Sequence, residues 1–186
     1  MKTTFNEQVR FKTLRDLFEI FLLEIAENLM LFKETLSDLR KEVSSRKLDF
    51  LIGDIASDNG RQISDLGIYL DKFSISWDRQ KNTSMKYLSN ECATTLKKMK
   101  ESPVRDAYSI AILQKVFHLQ LSEFRTIIIM SEELGENKTK KMFENLHHEA
   151  EKNDRLLSES AYNTINFDAA MDENKKILRE HYNPKT

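Results

Sequence analysis

Chemistry in this chain has to come from its 4 histidines, its 1 cysteine and its carboxylates. His147 and His148 are neighbours, about 100° apart on a helix, so they cannot both face one inward metal site. With Glu151 and Lys152 close to His148, solvated side chains are the expectation there. His118 falls off the apolar stripe of its segment, which places it at the surface or at an interface. His181, near the C-terminus, pairs with nothing recognisable. Cys92, being alone, excludes an intrachain disulfide and any multi-Cys metal site. No base and positive charge stand near it in sequence to activate the thiol, so a small buried hydrophobe is its expected role. Nucleophile–base pairs, Gly-rich phosphate loops and nucleotide fingerprints are absent. Two amides, Asn59 and Gln62, interrupt the inward stripe of a helix, where each needs a hydrogen-bond partner across the core.

The elements that position these groups are long helices. With 4 Gly and 2 Pro in 186 residues, few tight turns are available, and the length fits a single domain spanning residues 1–186. The organising segment runs from Asp106 to Leu134, where Ile110, Leu113, Phe117, Leu121, Phe124 and Ile128 recur at helical spacing. A turn centred on Gly135 leads into another helix from Lys138 to about Asn166, and Phe167 to Tyr182 carries a weaker helical pattern. Upstream, Phe5 to Val43 is helical, with Leu14, Phe18, Phe21, Leu22, Ile25, Leu29, Phe32 and Leu36 on one stripe. Ile20, Leu23, Met30 and Leu31 form a second apolar strip on the far side, which suits a homodimer through this first helix. Ser44-Ser45 marks a break and an N-cap, and the second helix follows from Arg46 to Lys72. Ser74 to Thr83, with Trp77, reads as a loop. A shorter helix from Ser84 to Lys100 acts as a crossover, and Pro103 sits near the start of the next helix. Four long helices of this kind bury themselves as a bundle.

Net charge is −1 with 32% charged residues, which offers no basic footprint for nucleic acid. Lys97, Lys98 and Lys100 read as a solvated helix end. The N-terminus lacks the apolar core of a signal peptide, and the apolar run Ile127 to Met130 falls far short of the roughly 20 residues of a membrane span. A cytoplasmic protein is expected, without nucleic-acid or membrane partners.

Several residues recur in a particular order: Ser44-Ser45-x-x-Leu48, Cys92-Ala93, Gln114-Lys-Val-Phe-His118, Leu134-Gly135, Leu146-x-x-Glu149, Asp154 and Ile165-Asn-x-x-Ala169. From about Leu14 to Ala170 the chain thereby resembles the YciE/YciF ferritin-like family of bacterial proteins. The resemblance implies an all-α, ferritin-like up-down four-helix bundle, with a crossover helix between helices 2 and 3 and a short C-terminal helix. It also implies a dimer and an association with stress responses.

Ferritin-like bundles hold two metal ions on inward carboxylates and histidines, about six protein ligands in all. Where the family typically reads Glu-His-x-Glu on the third helix, this chain reads Phe117-His118-Leu119-Gln120. Counted back from Ser44-Ser45 without a gap, the family glutamate of the first helix falls on Leu29, on the main apolar stripe. The pair Ala26-Glu27 offers Glu27 as the other register. On the second helix a family glutamate matches Asp58, and a nearby family histidine becomes Ile55. On the fourth, Glu149 matches an acidic position and His148 replaces its acidic neighbour. Asp58 and Glu149 are thus the vestigial candidate ligands. Asn59, Gln62, Gln120 and Asn153, with Glu149, are expected to form a hydrogen-bonded polar layer where metals would sit. The resulting expectation is a non-catalytic structural or interaction protein linked to stress response, with no cofactor. The alternative is a di-metal carboxylate enzyme of the oxidase type, or an iron-handling protein, using iron or another divalent metal on a reduced ligand set.

Overall fold

The computed structural model describes residues 12–72 and 84–171, all of them helix or short connection. The expected loop with Trp77, the N-terminal extension of the first helix to Phe5, and His181 lie outside the described residues.

Several helix ends are set by local chemistry. In α1 (Leu14–Glu42), Thr13 Oγ1 accepts from the Asp16 N–H at 3.1 Å, while the Asp16 carboxylate accepts from Thr13 N and Lys12 N, each at 3.0 Å. This reciprocal cap satisfies amides that the first turn leaves open. The backbone N–H of Lys12, followed by the Thr13 hydroxyl, holds the Asp16 carboxyl below the usual carboxylate range. Val43 then turns extended, and Ser45 caps α2 (Arg46–Lys72) by accepting from Leu48 N at 3.3 Å. The crossover helix α3 (Ser84–Leu96) stops short of the Lys100 expected from sequence. Ser102 instead caps α4 (Pro103–Glu133), with Pro103 in the first turn, where a missing N–H costs nothing. Gly135 adopts φ 71°, the left-handed region that favours glycine, and Glu136 N bonds back to Ser131 O at 2.8 Å. α5 (Asn137–Ser160) follows, and a π-helical turn, Ala161–Ile165, carries the helix on through residue 171 and buries Ile165.

α1 packs on α2 and α4, α5 packs on α4 and α2, and α3 lies across α1 and α4. Side-chain pairs that join the late part of one helix to the early part of its neighbour make each adjacent pair antiparallel: Arg40–Asp49, Arg105–Glu42, Tyr69–Thr139 and Gln114–Ser158. Such a ring, with a crossover joining α2 to α4, is the ferritin-like bundle. Its core is built on fully buried Phe18, Phe32, Phe124 and Phe143, with Phe32 meeting Phe117 edge-to-face at 5.6 Å and Phe124 meeting Phe143 at 5.7 Å.

Two stripes differ from the sequence reading. α4 buries Ile112, Val116 and Ile127 besides Ile110, Leu113, Phe117 and Phe124, whereas Leu121 and Ile128 are only partly buried. Three neighbouring helices surround α4, so no single narrow face can describe it. On α1, Leu14 is 40% exposed, and Leu23 and Leu31 of the second apolar strip already pack against the core.

At the end of the bundle where α4 begins, the buried carboxylate of Asp106 accepts from Ser44 N, Ser44 Oγ and Ser45 N, each at 2.8 Å. This ties the α1–α2 turn to the start of α4. Beside it, the Arg105 guanidinium reaches Glu42 at 2.9 Å.

Candidate functional site

Asp58 on α2 and Glu149 on α5 face each other across the groove between these helices, and a guanidinium lies between them. Arg61 Nη2 is 3.1 Å from Asp58 Oδ1 and 2.8 Å from Glu149 Oε1. The second Glu149 oxygen accepts from Gln62 Nε2 at 3.0 Å. Both carboxylates are about one-third exposed and Arg61 more than half, so this is a groove at the surface rather than an interior cavity. Glu149 first, and Asp58 second, raise the Arg61 guanidinium pKa still further above neutrality. Exposed ion pairs of this type contribute little stability. Their consequence is chemical: each carboxylate spends an oxygen on a permanent cation supplied by the chain. Sequence reasoning did not single out Arg61, although its position three residues after Asp58 on one helix was a usable signal.

Asn59, Gln62, Gln120 and Asn153 are all buried. Of the hydrogen-bonded layer expected from sequence, the Gln62–Glu149 contact is present, while both polar atoms of Asn59 and Nε2 of Gln120 are buried without a protein partner among the described residues. Leu29, Ile55 and Phe117, at other inward positions, are buried hydrocarbon with nothing to donate or accept. Interior amides in that state are where ordered water is held in proteins. Glu27 is half-buried, with its Oε2 enclosed and without a hydrogen-bond partner among the described residues.

Of the described histidines, His118 is 71% exposed at 3.7 Å from Asp154, His147 is 19% exposed and stands 3.7 Å from Glu151, and His148 is exposed. Among the described residues, no three His, Cys, Asp or Glu side chains converge as a metal-binding group. Cys92 is buried, and its burial, with Asp38 and Glu91 adding, pushes the thiol up to about 11, which keeps it protonated and unreactive near neutral pH. No helix among the described residues is long and apolar enough to cross a membrane.

One polar contact was missed entirely. Asn28 on α1 is buried and donates from Nδ2 to Glu123 Oε1 on α4 at 2.6 Å. Burial, with Glu24 adding and the Asn28 hydrogen bond opposing, pushes Glu123 up to about 7. Asn28 lies three residues after Ile25 and four before Phe32, a helical spacing that marked it as inward.

Residues 13–170 match the model of the family described as Domain of unknown function (DUF892). Protein YciF of Escherichia coli (strain K12) is 26% identical over 159 residues, 85% of this chain and 96% of that protein. The crystal structure of the E. coli stress protein YciF superposes with a TM-score of 0.78 at 25% identity, covering 84% of this chain and 99% of that one. A Dps mutant from Listeria innocua, at 14% identity and a TM-score of 0.58 over 80% of this chain and 97% of its own, shares the fold. Helix order, the match along nearly the whole described chain and the likeness to YciF together make this protein a member of the DUF892 family, that of the ferritin-like YciE/YciF proteins.

Proposed function

We propose that this chain is a YciE/YciF-type protein with a degenerate dinuclear metal centre, acting as a non-catalytic structural or interaction protein in a stress response. The Arg61 guanidinium between Asp58 and Glu149 supports this reading most directly. A ferritin-like centre uses metal ions to neutralise carboxylates that otherwise repel one another. Here a side chain of the protein supplies one positive charge between the two carboxylates, and a divalent ion would have to displace two charge-assisted hydrogen bonds to enter. The link to stress is carried over from the relative described as a stress protein.

Glu149→Ala separates this reading from an iron-handling one. Here the substitution removes an acceptor from Arg61 and from the buried amide of Gln62, so a stability loss of about 1 kcal/mol is expected, read from chemical denaturation. Abolition of stoichiometric ferrous-iron binding by the same substitution would instead favour a working carboxylate site.

The homodimer through the first helix belongs to the same proposal. Ile20 stays partly exposed and Met30 is 36% exposed after the chain has folded, which leaves part of the strip for a second copy. Ile20→Glu is expected to halve the mass measured by light scattering, because a charge buried in such an interface has no partner. An unchanged mass would count against this helix as the interface.

A further inference from the structure

The seam between α1 and α4 holds two enclosed oxygens that face no donor among the described residues, Asn28 Oδ1 and Glu123 Oε2. Both belong to side chains that are already joined, since Asn28 Nδ2 donates to Glu123 Oε1 at 2.6 Å. An ionised carboxylate offers only acceptors, and so does an amide oxygen. With Glu123 charged, its second oxygen and Asn28 Oδ1 are therefore both left unsatisfied in a place where that is costly. One proton on Glu123 Oε2 supplies the donor that both lack. The acid O–H then bonds to Asn28 Oδ1 while the amide N–H bonds to Glu123 Oε1, which closes a ring of paired hydrogen bonds.

We propose that Glu123 holds a proton in the folded protein, and that the resulting acid–amide pair with Asn28 makes the α1–α4 contact a pH-sensitive switch.

The surroundings favour the neutral acid. Glu123 and Glu24 line the same cavity of about 140 Å³, walled by Phe21 and Ile25 of α1 and by the hydroxyl-bearing Ser122 and Thr126 of α4. The Thr126 hydroxyl is engaged with the Ser122 carbonyl at 3.0 Å. Charged groups that act on Glu123 from α1 are acidic: Glu24 across the cavity, with Glu27 acting on Glu24 in turn. Among the described residues, no ion pair involves Glu24, Glu27 or Glu123. Ionising Glu123 thus adds a second negative charge beside Glu24 with no counter-ion. It also removes one of the ring's two hydrogen bonds and sets the Glu123 and Asn28 oxygens against each other, so the seam is expected to loosen toward the cavity.

The direction of the pH dependence follows. In the folded chain Glu123 releases its proton near 7, against about 4.5 for an ordinary glutamate. Between those values the native state holds a proton that the unfolded state has already lost, so stability is fully present below the lower value and falls as pH rises through the higher one. The folding equilibrium constant should fall by a factor on the order of 100 across that window. Burial and Glu27 move Glu24 in the same direction.

Glu123→Gln tests the device, because glutamine offers an N–H to Asn28 Oδ1 and a carbonyl to Asn28 Nδ2, keeping the ring while removing the titration. The full chain, wild type and Glu123→Gln, is followed by chemical denaturation across the acid-to-alkaline range, with a carbon-detected NMR titration of the glutamate carboxyls alongside. The expected result is a Glu123 carboxyl that titrates near 7 in the wild type, and a variant that matches the wild type at acid pH but loses this component of the decline above it. Titration of Glu123 near 4.5, or identical pH profiles for the two proteins, overturns the proposal. Should the variant fail to fold, the wild-type carboxyl titration decides alone.

Discussion

Asp106→Ala is expected to destabilise the protein by about 3 kcal/mol, read as a shift in the denaturation midpoint at constant slope. The Asp106 carboxylate is 2% exposed and accepts from Ser44 N, Ser44 Oγ and Ser45 N, each at 2.8 Å. It also lies in the first turn of α4, where the helix dipole favours negative charge. Hydrogen bonds to a charged acceptor contribute more than neutral ones, and those from Ser44 and Ser45 span two elements more than 60 positions apart in sequence. Alanine leaves the donors unpaired and unpins the turn from which Ser45 caps α2. Ser44 is exposed and Ser45 only half-buried, so water reaches the orphaned donors and the loss stays near this figure. Asp106→Asn keeps one carbonyl acceptor and is expected to lose about half as much. A loss below about 0.5 kcal/mol for alanine would show that the turn is held by other contacts.

Phe32→Ala should cost about 4 kcal/mol, with the midpoint of thermal unfolding lowered by about 10 °C. Phe32 is 1% exposed and stands edge-to-face with Phe117 at 5.6 Å and an interplanar angle of 84°. Removing the ring leaves a void against α4 that helices packed on three sides cannot collapse to fill, and it also loses the quadrupole attraction of the aromatic pair. The effect bears on the proposed function because Phe117 occupies a position where the resemblance to the YciE/YciF family implies a carboxylate. At this position the interior is stabilised by aromatic packing, where a metal centre would have required charge. Phe32→Leu, which restores most of the volume, is expected to recover more than half of the loss.

The parts of the fold legible in the sequence are those written in local chemistry. Ser44-Ser45 and the following stripe place the start of α2 at Arg46, and Ser102-Pro103 and Gly135 bracket α4, because caps and turns depend on residues within a few positions of each other. The burial pattern of α4 was harder to read, since a helix with neighbours on three sides has no single polar face from which to set its phase. Two contacts that shape the candidate site were invisible for a different reason. Arg61 meets Glu149 across 88 positions, and Asn28 meets Glu123 across 95. Both depend on the register between antiparallel helices, which no local pattern encodes. An exposed arginine on α2 is ordinary in sequence, and only the groove with α5 makes it the cation between two carboxylates.

The measurement that bears most directly on the degenerate centre is metal content by mass spectrometry. Protein is purified without chelators, challenged anaerobically with ferrous iron and freed of excess metal. With Arg61 paired to both Asp58 and Glu149, and with Leu29, Ile55 and Phe117 at the other inward positions, the account predicts no stoichiometric retained metal. Two ions bound per chain would contradict it and would make the carboxylate enzyme the better description.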